Sequence, residues 1–198
     1  MRLVTFQDQY VIDKIKFEEE EGRVPVYINN HFYFTKKEEP LILKFKDKMK
    51  DAIKIKKLAT PIFCWVIKKD QELTDEFIDE LYVRYIPKCR NIVVIELDVP
   101  DEGVFVSNYD VWSKIIFNLQ INKTMSDEEF NLLFKRQKGA TLQACIPFIH
   151  KRFIKSYKII DNVFDRDYSD TESEVQRMIE NREIELDDDG NIESLSDE

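Results

Sequence analysis

Few residues in this chain have the types and spacing to do chemistry, and most of them are neutral and polar. Ser107 stands three residues before Asp110, between a short apolar run and the helical pattern Val111, Ile115, Ile116, Leu119. A strand that ends where a helix begins leaves backbone N–H groups pointing outward. A hydroxyl and a carboxylate there suit a ligand site, and they equally suit a capping box closing the helix start. Gln143 interrupts the apolar stretch Thr141 to Pro147. A buried amide without a partner costs ~1–3 kcal/mol, so Gln143 calls for a structural hydrogen bond or a ligand. Thr5 and Gln7 are polar positions in the opening strand Leu3-Val4-Thr5-Phe6.

Other chemistries find less support. There is no Walker loop, no Gly-x-Gly-x-x-Gly, no Gly-x-Ser-x-Gly and no His-x-x-x-His. Nucleophilic catalysis would need Ser or Cys beside one of two histidines, and His150 sits among Lys151 and Arg152 in a strand-like run. Cys64, Cys89 and Cys145 are odd in number and far apart, which fits neither a disulfide framework nor a zinc site. Asp187-x-Asp189-Gly190 faintly has the spacing of a calcium loop. Ser196 occupies the position that needs a bidentate Glu, so no metal is expected.

The elements that must position these residues read as a mixed pattern. Ile92 to Ile95 is a β-branched run suited to a strand covered on both faces. Val99-Pro100-Asp101-Glu102-Gly103 is a turn, and Val104 to Val106 a second strand. Helices are expected over Gln7–Glu21, Leu41–Lys57, from Thr74 toward Pro87, from Tyr109, and from Ser126 to Lys138, the last with a Ser126/Glu129 capping box. Strands are expected over Val24–Phe34, with a hairpin turn at Asn29-Asn30, and over Pro61–Ile67. Thr141–Pro147 is another, followed by an interrupted strand to Ile160. This is an α+β domain over residues 1–164, with a central split sheet, mixed or antiparallel, and flanking helices.

The stretch Glu96, Val99-Pro100-Asp101, Val104, Ser107, Tyr109, Asp110, Trp112 resembles a run in the bacterial domain-of-unknown-function family 3841. Leu3, Thr5, Gln7, Pro61-Ile62, Trp65, Gln143-Ala144 and Pro147-Phe148-Ile149 extend the resemblance over about residues 1–164. The chain departs at Asn108, where that family tends to carry Asp, and at Ser113, where it tends to carry His. The element order in turn looks like the ADP-ribosyltransferase fold, a split sheet that grips NAD in a central cleft. That likeness implies NAD as cofactor. Arg2, Thr5 or Gln7 would hold the nicotinamide ribose region, and Tyr33 or Trp65 would stack on the nicotinamide. Gln143 would take the place of the late-strand carboxylate, with Asp110 or Glu96 as the acid entering the cleft. Ser107, at the junction, would join the cofactor contacts.

Bulk composition bounds the rest. At 43% apolar, with fourteen Phe and eight Tyr, the chain can build an aromatic core. No run approaches the ~18–20 apolar residues of a membrane span, and the first residues lack a signal-peptide pattern. A reducing cytoplasm fits three scattered cysteines. Residues 165–198 hold fourteen Asp/Glu and three Arg, a surplus of eleven negative charges. The remainder therefore carries two net positive charges against the chain's −9. This tail is expected to be acidic, mobile and partly helical, with Ser169 and Glu172 capping a short helix. A non-catalytic alternative follows from it: an inhibitor- or antitoxin-like protein, of a bacterium or phage, whose tail meets a basic protein surface. Lys44, Lys46, Lys48, Lys50, Lys54, Lys56 and Lys57 form a basic helix face. Without Arg-rich or aromatic-basic interleaving it argues against a nucleic-acid partner.

Overall fold

The computed structural model describes residues 1–29, 34–83, 92–135 and 139–160, together with the short strands 185–186 and 192–193. The expected turn at Asn30, the candidate Tyr33, His31, Cys89 and the tail helix lie outside the described residues.

The chain divides into two units, Met1–Ile160 and Asp161–Glu198. The first is an α+β domain. Its strands are β1 (Arg2–Asp8), β2 (Val26–Tyr27), β3 (Ile62–Val66), β4 (Ile92–Asp98), β5 (Phe105–Asn108), β6 (Leu142–Ile146), β7 (Ile149–His150) and β8 (Ile154–Ile160). Its helices are α1 (Tyr10–Glu20), α2 (Glu39–Ile53), α3 (Asp75–Val83), α4 (Tyr109–Gln120) and α5 (Asp127–Leu132). Six strands form one sheet in the order β5-β6-β3-β1-β4-β8, and every pairing in it is antiparallel. A separate pair joins β2 to β7. Within the second unit, Glu185–Leu186 pairs with Ile192–Glu193. No helix among the described residues is long and apolar enough to cross a membrane.

Strand alternation decides which side chains meet. Leu3, Cys64, Ile95, Ala144 and Ile146 face one side, where Val11, Ile12 and Ile15 of α1 cover them. The other side has two separate apolar clusters. One packs Phe105 and Cys145 under Leu41, Ile42, Phe45 and Met49 of α2, Trp112 and Ile115 of α4, and Phe130 of α5. The second packs Val4, Phe6, Trp65, Ile92 and Val94 under Ile78 and Leu81 of α3. Each fully buried side chain of this size contributes ~1.5–3 kcal/mol relative to exposure.

The ladders are unequal. β1 and β4 pair over seven residues, and β3 and β6 over four, whereas β1 and β3 pair only at Leu3↔Val66 and Val4↔Trp65. Past that point Thr5 Oγ1 donates to the Phe63 carbonyl (2.8 Å), a side chain replacing a ladder bond where the strands part.

Several boundaries differ from the sequence reading for identifiable reasons. β1 runs to Asp8, whose Oδ1 accepts from Tyr10 N–H, so α1 starts later than Gln7. α2 stops at Ile53 because Lys54 takes a left-handed φ of 56° and donates its N–H to the Lys50 carbonyl. The α5 helix ends at Leu132, well before Lys138. Val26–Tyr27 pairs with Ile149–His150.

Candidate functional site

The cross-strand register sets Ser107, Gln143, Trp65, Val4, Glu96 and Ser156 in one row across the sheet. Residues opposite one another in antiparallel strands project to the same face. Gln143 and Trp65 therefore share the side covered by α2, α3 and α4. Thr5 and Gln7, at odd positions of β1, belong with Leu3 on the opposite side; Thr5 still borders the cleft on the first side, through the gap where β1 parts from β3, whereas Gln7 does not line it.

A cleft of about 430 Å³ opens on the first of these faces, where the two apolar clusters fail to merge and β1 parts from β3. Phe6 and Trp65 of one cluster and Phe63 and Trp112 of the other line it, with Phe34 and Tyr109. The rings brace each other. Trp65 meets Tyr109 edge-on at 4.6 Å, Trp112 lies 5.4 Å from Phe63, and Phe34 sets its edge to both Phe63 and Trp112. Such pairs hold ring orientation beyond the effect of area alone. Phe117 stands at the cleft, largely exposed.

The polar lining is Gln143, Glu38, Gln120, Ser113 and Thr5. Gln143 is 5% exposed; its Nε2 makes no hydrogen bond to oxygen or nitrogen, and its side chain lies against the Cys145 thiol. Beside it in the sheet Ser107, 2% exposed, also leaves its Oγ unpartnered. Glu38 is 5% exposed. Its Oε2 accepts from Thr35 N–H at 2.8 Å and its Oε1 from Gln120 Nε2 at 3.3 Å. Ser113 borders the same space.

The remaining candidates are occupied elsewhere. Gln7 Nε2 donates to Thr5 Oγ1 (2.8 Å), so the two polar side chains of β1 satisfy each other and the Phe63 carbonyl. Arg2 binds Glu96 at 2.7 Å and donates to the carbonyls of Lys68, Lys69 and Gln71, clamping the loop after β3. Burial opposes ionisation of Glu96. The hydrogen bonds from Arg2 and Ser156 and the charges of Arg2 and Lys155 outweigh it and hold the carboxyl below its ordinary value. Asp110 is exposed, and its Oδ2 accepts from Thr141 N–H at 3.1 Å, tying α4 to the start of β6. Neither Asp110, Arg2 nor Glu96 lines the cleft.

Ser107 does not cap α4. Its neighbour Asn108 does, with Oδ1 accepting from the N–H groups of Asp110 and Val111 at 3.0 and 3.2 Å. The strand runs to Asn108, two residues beyond the expected end at Val106, which turns Ser107 into the sheet and makes Asn108 the first residue free to cap. The Ser126/Glu129 capping box is present as expected.

Glu38, like Gln120, is a polar cleft residue that sequence reasoning missed. Its signal was the spacing Thr35-x-x-Glu38 just ahead of a helical run, the pattern of a carboxylate reaching back to an upstream N–H.

Thiol chemistry has little to build on here. Burial pushes the Cys64 thiol up to about 12 and raises Cys145 as well, so both favour the unreactive thiol. His150 Nδ1 accepts from Arg152 N–H. Among the described residues no three His, Cys, Asp or Glu side chains gather as a metal site would require.

Comparison of the chain with protein-family models, with curated proteins and with solved structures finds no match.

Proposed function

We propose that the cleft binds the nicotinamide end of NAD, in an ADP-ribosyltransferase-like domain. The observation that carries this reading is the unpartnered Nε2 of Gln143, buried in an aromatic cleft. A donor held there without a partner costs ~1–3 kcal/mol unless a ligand supplies an acceptor. A flat ring bearing a carboxamide meets both demands. Its carbonyl accepts from Gln143, and its faces lie against Trp65, Tyr109 or Trp112. The volume falls within the ~300–1,000 Å³ usual for small-molecule pockets.

NAD carries a ribosyl–nicotinamide bond whose breakage leaves positive charge on the ribose. Gln143, being neutral, stabilises such charge less than a carboxylate would. Asp110 and Glu96, the acids expected from sequence, are turned to Thr141 and to Arg2. Glu38 is the carboxylate among the described cleft residues. The reading is therefore of binding first, with any transfer dependent on Glu38.

Thermal unfolding of the full chain with and without NAD tests this. NAD and free nicotinamide should each raise the melting temperature, and Gln143→Leu should abolish both shifts. An unchanged melting temperature at millimolar NAD would overturn the reading.

A further inference from the structure

Glu38 is a nearly buried carboxylate whose contacts are all neutral. Thr35 N–H and the Gln120 amide each fill one acceptor direction. A carboxylate offers about four. Lys37 directs its ammonium to the Gln120 carbonyl at 3.1 Å and forms no ion pair with Glu38. The start of α2, fifteen residues long and beginning at Glu39, contributes partial positive charge, but no full counter-charge faces the carboxylate among the described residues. A buried charge in this position is stable when something cationic completes it.

The surroundings point the same way. Trp65, Trp112, Tyr109 and Phe63 line the space that Glu38 also lines. Aromatic faces attract cations through their quadrupole, most of all when water is excluded. An aromatic wall and a carboxylate around one cleft form a receptor for a flat organic cation. The unpartnered Gln143 donor, on the same lining, adds a demand for a carbonyl acceptor.

We propose that Glu38 makes the cleft charge-selective: it takes a positively charged N-alkylpyridinium carboxamide and discriminates against the uncharged ring. Resting on the reading above, this assigns the substrate class as the oxidised, cationic form of the nicotinamide nucleotide. The dihydro form lacks the charge that Glu38 and the rings would recognise.

The test uses the full chain and compares two probes by calorimetry, 1-methylnicotinamide as the cation and nicotinamide as its neutral counterpart. The cation should bind about tenfold more tightly. Glu38→Gln keeps the side chain's shape and its ability to accept from Thr35, and should erase that difference. Equal affinities in the wild-type chain, or a preference that survives Glu38→Gln, would overturn the role of Glu38 and leave nicotinamide binding standing. If tetramethylammonium binds while both nicotinamides fail, the charge inference holds and the NAD reading falls. If none of the three binds, both fall. Should Glu38→Gln not fold, NAD against NADH on the wild-type chain decides alone: tighter NAD supports the inference, and parity overturns it.

Discussion

Two sets of polar side chains sit in the same sheet, and they differ in what is left over. Along β1 and β4, Thr5, Gln7, Arg2 and Glu96 form closed arrangements. Gln7 donates to Thr5, Thr5 to the Phe63 carbonyl, and Arg2 to Glu96. Elsewhere in the sheet, Gln143 and Ser107 keep polar atoms with no oxygen or nitrogen partner, and Glu38, on the same cleft as Gln143, has acceptor directions to spare. The first set replaces strand pairing where β1 leaves β3. Of the second, Gln143 and Glu38 border the space that this parting opens, and Ser107 does not. A polar residue in an apolar strand therefore does not by itself mark a site; unfilled hydrogen-bonding capacity facing a cleft does.

The contrast predicts opposite outcomes for similar substitutions. The largest effect on stability should come from Thr5→Val. It removes the donor to Phe63 and the acceptor for Gln7, leaving two buried groups unmatched, and should cost about 2–3 kcal/mol in denaturant unfolding. Asn108→Ala removes the cap of α4 and should cost ~1 kcal/mol. A loss no larger than that of an exposed control would show that the two N–H groups find other partners.

The Arg2–Glu96 pair should contribute less, up to ~1 kcal/mol, because it is partly exposed. Its pH dependence has a definite sign. The folded carboxyl lies below the ordinary value of 4.5, so its contribution is complete above that pH and lost as pH falls through the lowered value. Glu96→Gln should flatten that part of the acid limb of the stability curve and leave neutral pH little changed. The smallest stability effect belongs to Gln143→Leu. Replacing an unpartnered buried donor by an apolar side chain of similar size should shift stability by less than ~1 kcal/mol in either direction. It should nonetheless abolish ligand binding.

Much of the fold was legible in the sequence because its signals are local. The β-branched run Ile92–Ile95, the Ser126/Glu129 box and the interrupted strand after Pro147 each announce their structure within a few residues. The site was legible only in part. Trp65 and Gln143 could be singled out as polar or aromatic positions in apolar strands, and they do share the cleft. Thr5 and Gln7 could not be assigned a face, because parity relative to β3 depends on register, and register is a tertiary property. Ser107 and Asn108 were exchanged because the point where the strand ends decides which of them caps the helix. Glu38 was passed over because a carboxylate beside Lys36 and Lys37 reads as solvated surface. Only the fold brings it against Gln120, at the far end of α4.

The central claim is that the spare donor of Gln143 is there for a ligand. Calorimetric titration of the full chain with NAD, run in parallel on Gln143→Leu, tests it most directly. The account predicts a saturable isotherm for the wild-type chain and none for the variant, with the two proteins unfolding at closely similar temperatures. Indistinguishable isotherms for the two proteins, or no heat from either, would contradict it.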